Sequence, residues 1–147
     1  MGKINFFQED IDFTLPEKKM IRDWLTAITK AENKSLEEVN YIFTSDEYLL
    51  RINSSYLNHH YYTDVISFSH AETPSIIEGD IFISIERIKE NAPKFEKTFR
   101  DELLRVMVHG LLHFIGYNDK SEEDKKTMTN KEDYYLNLFE KRSTWNV

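Results

Sequence analysis

The stretch VMVHGLLHFIGYNDK, Val106 to Lys120, places two histidines four residues apart in an otherwise largely apolar segment. If the segment is helical, residues four apart lie on the same face, one turn from each other. His109 and His113 then project in the same direction, with Cα atoms about 6 Å apart. Gly116 can adopt the left-handed backbone that ends a helix, so the chain can turn directly after the pair.

The histidine pair has two interpretations. As packing residues, each imidazole would bond a carbonyl group in the core, and such pairs arise often by chance. As metal ligands, two ring nitrogens can meet a common point at about 2.0–2.1 Å, the zinc–nitrogen distance. After the turn at Gly116, Asp119 can fold back towards that point as a third ligand, although an aspartate there also suits a turn or a helix cap. The residues alone leave both interpretations open.

The spacing of the pair resembles the HExxH signature of zinc peptidases, but the residue after the first histidine differs. In those enzymes a glutamate follows the first histidine and acts as the general base. Here Gly110 holds that position and has no group that accepts a proton. Peptide hydrolysis by that route is therefore disfavoured. A glycine inside a helix costs about 1 kcal/mol relative to alanine, which suggests that Gly110 makes room for a packed element or a bulky substrate.

Length, charge and composition limit the class of protein. The 147 residues suit one domain, residues 1–147, and the absence of cysteine leaves only nitrogen and oxygen ligands for a metal. No apolar run is long enough to span a membrane, and the N-terminus lacks the features of a secretory signal, so we expect a cytoplasmic protein. A net charge of −7 disfavours indiscriminate nucleic-acid binding.

A local basic patch remains compatible with that net charge. The candidate RNA-binding residues are Lys94, Lys97, Arg100 and Arg105. The alternative is that these four cations form an ordinary solvated helix face.

The hydrophobic pattern predicts an α+β fold with a single four-stranded mixed sheet and helices packed against it. Strands are expected at residues 4–7, 38–44, 63–69 and 79–85, the last beginning with a glycine that punctuates the chain. Helices are expected from Pro16, over residues 46–57, from the cap Thr98 through the histidine pair, and from the cap Ser121 towards Phe139. The full tally is four or five helices, not in strict alternation with the strands.

Four motifs, and their order along the chain, resemble those of the YbeY family. Its members are ribosomal RNA maturation factors regarded as metal-dependent single-strand endoribonucleases. Their signature is approximately H-G-x-L-H-x-x-G-Y-D-H, and this chain matches it from His109 to Tyr117. The segments YTDVISF, GDIFIS and EEDKKTM resemble the family's PTDVLSF, its GDI-I-S strand and its acidic run with methionine. The resemblance covers about residues 56–138, and the N-terminal third matches only in its layout.

The resemblance implies a zincin-like metal helix on which His109 and His113 are metal ligands and the candidate catalytic residues. The family's third metal-binding histidine falls at Asp119, which is a competent zinc ligand but makes the site less selective for zinc. We therefore expect one Zn²⁺ per chain, with other divalent ions also compatible. The arginine that usually follows a tyrosine of the family is replaced by Leu57, so its role does not carry over. Asp64 and Asp80 are expected at strand ends, where they either support the ligating imidazoles or serve only as turn or strand-cap residues.

The implied function is cleavage of single-stranded RNA in ribosomal RNA processing, namely 3′-end maturation of precursor small-subunit RNA, during ribosome biogenesis. The implied partners are that RNA and ribosomal proteins or an assembly GTPase, with no membrane involved. Two alternatives of other classes are a non-catalytic ribosome-assembly module with a structural metal and a metallopeptidase-like hydrolase.

Overall fold

The computed structural model describes residues 2–145, with side chains through residue 141, and shows the α+β fold expected from the sequence. The strands of this part of the chain are β1 (Lys3–Glu9), β2 (Ser35–Thr44), β3 (Val65–Ser69) and β4 (Ile76–Ser84). Its helices are α1 (Lys18–Ala31), α2 (Asp46–Leu57), α3 (Ile85–Lys94), α4 (Phe99–Ile115) and α5 (Glu122–Trp145).

The four strands form one mixed sheet, which confirms the predicted architecture. Their order is β1-β2-β4-β3. β1 pairs with β2 and β2 with β4 in parallel, whereas β3 pairs with β4 in antiparallel orientation. Parallel neighbours need a long crossover, and here α1 connects β1 to β2. β3 consequently lies at an edge of the sheet, with one side not occupied by a strand.

α4, the helix with the two histidines, is the central helix of the molecule. It packs against β3 and β4 and also contacts α1, α3 and α5. Apolar side chains on several of its faces are buried, among them Leu104, Met107, Val108 and Leu111, as expected for a helix surrounded by other elements. Although α4 is apolar, no helix in the described part of the chain is long and apolar enough to cross a membrane.

A buried hydrogen bond joins α4 to the middle of the sheet. The hydroxyl group of Tyr41, on β2, donates to the carbonyl oxygen of Met107 at 2.8 Å. Both residues are fully buried, so the bond satisfies a polar group that would otherwise be costly to remove from water. It fixes the position of α4 on the sheet two residues before His109.

Gly79 has a different role from the one predicted. The expected strand begins at this glycine, but β4 begins at Ile76 and continues through it. A Cβ atom at Gly79 would lie 2.7 Å from Cζ of Phe114, on α4, and would also collide with the carbonyl oxygen of Phe68. The glycine therefore allows α4 and β3 to approach β4 closely rather than marking the end of a loop.

Other boundaries also differ from the expected ones. α1 begins at Lys18 rather than at Pro16, because Glu17, the residue before it, adopts a left-handed conformation with φ 56°. The additional helix allowed by the sequence is α3, which begins at Ile85, the residue assigned to the end of the last strand. α5 continues past Phe139 to Trp145.

We expect substitution of Gly79 by alanine to destabilise the protein by about 1–3 kcal/mol, the usual cost of overpacking a core. The reason is that the new methyl group has to displace Phe114 or the β3 backbone. Urea unfolding measures the change, and Glu78→Ala, at the preceding position of the same strand, is the control. An equal stability of the two variants would show that the close approach at Gly79 is unimportant.

Candidate metal centre

The two histidines lie in the last two turns of α4, where the helix emerges from the core. Its first turn is capped as predicted, since the Thr98 hydroxyl accepts a hydrogen bond from the Asp101 backbone N–H at 3.1 Å. The His109 and His113 side chains remain 24% and 29% exposed, whereas Leu111 and Leu112 between them are fully buried. The imidazoles therefore face a solvent-accessible cavity instead of packing among hydrocarbon side chains.

The third residue of the predicted set reaches the same point. Gly116, at φ 125°, ends α4, and the chain then folds back. An Asp119 carboxylate oxygen lies 3.3 Å from Nε2 of His109 and 3.4 Å from Nε2 of His113. The two Nε2 atoms are 3.0 Å apart. The structure thus brings together all three residues that the spacing singled out.

This triangle of ligand atoms fits a single small cation. Ligands at about 2.05 Å from a tetrahedral metal are about 3.3 Å from each other, close to the separations among these three atoms. Two imidazole nitrogens and a carboxylate oxygen are also a donor set that zinc and related divalent ions accept. His109, His113 and Asp119 can therefore hold a metal ion.

The ligand atoms face a cavity of about 280 Å³ between α4 and the edge strand β3. Its wall on the sheet side is formed by β3 and the residues just before it. The lining residues are Thr63, Asp64, Val65, Ser67, His109, Gly110, His113 and Asp119. A substrate that enters this cavity meets the three ligands and the polar groups of the edge strand together.

A buried carboxylate orients the first histidine. Glu132, on α5, accepts a hydrogen bond from Nδ1 of His109 at 2.6 Å, and its side chain is only 8% exposed. Because Nδ1 is occupied in this way, Nε2 is the nitrogen that faces Asp119 and the cavity. Arg105 in turn donates to Glu132 at 2.8 Å and to Asp133 at 2.6 Å, so the orienting carboxylate is itself held by a charge.

The two histidines have opposite pKa shifts. Burial by itself would lower the pKa of His109, but the hydrogen bond and charge of Glu132 outweigh it, so the pKa is raised. Burial and the neighbouring His109 lower the pKa of His113.

Sequence reasoning missed Glu132, although a signal for it was present. Met128, Tyr135 and Phe139 are buried at helical spacing on α5, and Glu132 occupies a position within that apolar stripe. Acidic residues are almost never fully buried unless they are paired. A glutamate in the core-facing stripe of a helix therefore indicates a buried partner, which here is His109.

The two aspartates expected near the imidazoles have different positions. Asp64 does line the cavity, and burial raises the pKa of its carboxyl group. Among the described residues, no hydrogen bond joins Asp64 to either ring. Asp80 is not at a strand end but within β4, where it binds Asn40 at 3.0 Å and His70 at 3.0 Å. The supporting role expected for Asp80 is therefore wrong.

Gly110 allows close packing, one of the two roles expected for it. A Cβ atom at this position would lie 3.0 Å from Cγ2 of Ile81 on β4. A larger residue at this position would therefore require Ile81 or the helix to shift by a few tenths of an ångström. The route of the HExxH peptidases stays disfavoured because Gly110 has no group that accepts a proton.

The predicted basic patch is only partly assembled. Lys97, Arg100 and Arg105 line one groove of about 310 Å³, whereas Lys94 is not part of its lining. Arg100 pairs with Glu140 at 2.9 Å, and Arg105 is occupied by the two acidic partners described above. The RNA-binding role of these four residues stays a prediction.

Comparison with known proteins gives a consistent result. The family model described as "Endoribonuclease YbeY" matches residues 3–140. A protein of that name from Cytophaga hutchinsonii is 52% identical over 135 residues, which cover 92% of this chain and 94% of the relative. One from Karelsulcia muelleri is 48% identical over 139 residues, covering 95% and 97% of the two chains.

The fold is also similar to that of a solved structure. The solution structure of TM1509 from Thermotoga maritima matches with a TM-score of 0.69 and 27% identity, covering 98% of this chain and 93% of the other. Because the family model and these relatives extend over nearly the whole chain, the resemblance is not confined to the histidine motif. This protein belongs to the YbeY endoribonuclease family.

Proposed function

We propose that this protein is a metal-dependent single-strand endoribonuclease that acts in ribosomal RNA processing. The observation that carries the proposal is the convergence of His109, His113 and Asp119 on one point of a cavity bounded by the edge strand β3. The endoribonucleases named YbeY that match over 90% or more of this chain support RNA as the substrate. Within that class we infer that the substrate is the 3′ end of precursor small-subunit ribosomal RNA.

We propose zinc as the metal, one ion per chain, with His109, His113 and Asp119 as its protein ligands. When bound at such a site, zinc supplies Lewis-acid chemistry, since it polarises a phosphoryl oxygen and makes water a stronger acid. Three protein ligands are the number typical of catalytic zinc sites, which keep the remaining position open. A carboxylate in place of a third imidazole makes other divalent ions compatible with the site.

The residues around the ligands have separate roles in this proposal. Glu132 holds the proton on Nδ1 of His109 and thereby directs Nε2 towards the cavity. Asp64 places a second carboxyl group in the cavity wall, where burial raises its pKa. Gly110 keeps α4 close to β4 and lines the cavity between α4 and β3.

The acidic character of the protein bears on its partners. With a net charge of −7, the chain is poorly suited to capturing RNA from solution without help. We infer that ribosomal proteins or an assembly GTPase bring it to its substrate, and that it acts in the cytoplasm, where ribosomes assemble.

We expect Glu132→Gln to weaken zinc binding about 10-fold, because the substitution removes the charge that orients His109 and strengthens it as a ligand. Competition with a chromophoric chelator measures the affinity. Asp133→Asn is the matched control, since it removes the other acidic partner of Arg105 without a contact to His109. Wild-type affinity in Glu132→Gln would contradict the orienting role.

We expect the zinc-loaded protein to cleave single-stranded RNA, and His113→Ala and chelation each to abolish cleavage. Denaturing gels of end-labelled RNA provide the measurement. His70→Ala is the matched control, because this histidine binds Asp80 and is not among the residues lining the metal cavity.

Two other results would contradict the enzymatic proposal. One equivalent of metal without RNA cleavage, combined with lower stability after metal removal, would indicate the ribosome-assembly module with a structural metal. Cleavage of a peptide panel but not of RNA would indicate the metallopeptidase-like hydrolase.

We expect Lys97→Glu to weaken RNA binding and to reduce the slope of log affinity against log salt by about one. Lys97 lines the groove, and the described residues provide it with no ion pair, so its charge is available to a phosphate. Fluorescence anisotropy at several salt concentrations measures both quantities. Lys3→Glu, on β1, makes the same change of charge outside the groove, and equal effects of the two variants would contradict a local RNA site.

A further inference from the structure

Tyr117 lies between α4 and Asp119 in the chain, and its hydroxyl group binds a residue outside the metal centre. This residue follows the turn glycine Gly116 and precedes Asp119 by two positions. Its backbone N–H donates to the carbonyl oxygen of Leu112 at 3.0 Å, which ties it to the end of α4. Its hydroxyl group donates to the Glu32 carboxylate at 2.6 Å. Tyr117 is thus anchored at both its backbone and its side chain.

Glu32 is the acceptor for three donors from two other parts of the chain. It follows α1 directly and caps that helix through its backbone N–H, while its carboxylate side chain is only 10% exposed. Besides Tyr117, it accepts from Lys131 at 3.1 Å and from the hydroxyl group of Tyr135, both on α5. Burial raises the pKa of Glu32, but these donors outweigh it and lower the pKa overall, so the group stays a carboxylate.

Lys131 completes this cluster by packing on the two tyrosines. Its ammonium group lies 5.5 Å from the ring centroid of Tyr117 and 6.0 Å from that of Tyr135. Cation–π contacts of this kind hold the two rings in place, while Glu32 holds their hydroxyl groups. The end of α1, the segment after α4 and the middle of α5 therefore meet at one buried carboxylate.

The segment that carries Asp119 has little other support. Residues 117–119 form neither helix nor strand, and the next regular hydrogen bond is the cap that Ser121 makes to the backbone N–H of Asp124. The Asp119 side chain is 42% exposed. Its position relative to the imidazoles therefore depends on how firmly the chain is held at Tyr117 and at Ser121.

We propose that Glu32 is a positioning residue of the metal centre, which holds Tyr117 and through it places Asp119 within reach of His109 and His113. This inference rests on the proposed function in so far as the three ligands bind a metal. A purely architectural role, in which Glu32 only joins α1 to α5, is the alternative. The two differ in which of the tyrosine hydroxyl groups matters for metal binding.

The test compares Tyr117→Phe with Tyr135→Phe. Each variant removes one hydroxyl group that donates a hydrogen bond to Glu32. Only Tyr117→Phe releases the segment leading to Asp119. We expect Tyr117→Phe to weaken zinc binding about 10-fold, in the range found when a group behind a ligand is removed. Tyr135→Phe should bind zinc with nearly wild-type affinity. Chelator competition gives the affinities, and thermal unfolding of the metal-free proteins shows whether both variants lose similar stability.

Two further measurements separate positioning from general destabilisation. The visible absorption of bound Co²⁺ reports the number and geometry of its ligands, and it should change in Tyr117→Phe but not in Tyr135→Phe. In addition, Tyr117→Phe should have no further effect on affinity when Asp119 is already alanine, because the tyrosine acts through that ligand. If the double variant binds more weakly than Asp119→Ala by the same factor, Tyr117 acts independently of Asp119 and the proposal is wrong.

Failure of the positioning role can be distinguished from failure of the metal centre. Equal zinc affinities of Tyr117→Phe and the wild type, or equal losses in the two tyrosine variants, would overturn the positioning role while leaving the metal centre intact. Absence of metal binding by the wild-type protein itself would overturn the proposed metal centre and the positioning role together.

Discussion

The close packing of α4 on β4 is the constraint on which the rest of the structure depends. α4 has to lie deep in the molecule, because apolar side chains on several of its faces are buried, and it also has to present two imidazoles to a cavity. Two glycines make this possible. Gly79 admits Phe114 from α4, and Gly110 lets the helix lie against Ile81. With the helix at this depth, the edge strand β3 becomes the opposite wall of the site.

Two networks of charged side chains, one around Glu132 and one around Glu32, adjoin that helix and the segment after it. On one side, Glu132 binds His109, and Arg105 binds both Glu132 and Asp133, so the buried Glu132 carboxylate has a donor and a cation beside it. Unpaired, such a carboxylate would cost several kcal/mol, on the order of 3–5 kcal/mol when a partner is removed. On the other side, Glu32 gathers donors from α5 and from the segment after α4. The metal ligands lie between these two networks, and α5 contributes to both.

The basic residues show that the role of a charged side chain depends on its neighbours. Arg105 is a candidate for phosphate binding when only its charge is considered, but it lies between two carboxylates and supports the orientation of a histidine. Lys97 and Arg100 share a groove with it, at least nine residues before His109. A cation that neutralises a neighbouring acid contributes less to an external phosphate than its formal charge suggests.

Local patterns in the chain were sufficient for the α+β class, the four strands, the helix with its cap at Thr98 and the turn at Gly116. They also singled out His109, His113 and Asp119, without deciding between packing and metal binding. These features are readable because they depend on short-range geometry, namely the 3.6-residue helical turn, the two-residue strand period and the conformational freedom of glycine. Only the tertiary structure decided that Glu132 backs His109, that Glu32 holds Tyr117, and that Asp64 but not Asp80 faces the site. Those pairs join residues 23 and 85 positions apart in the chain. Such contacts depend on how helices pack around the sheet, and no spacing along the sequence encodes that packing directly.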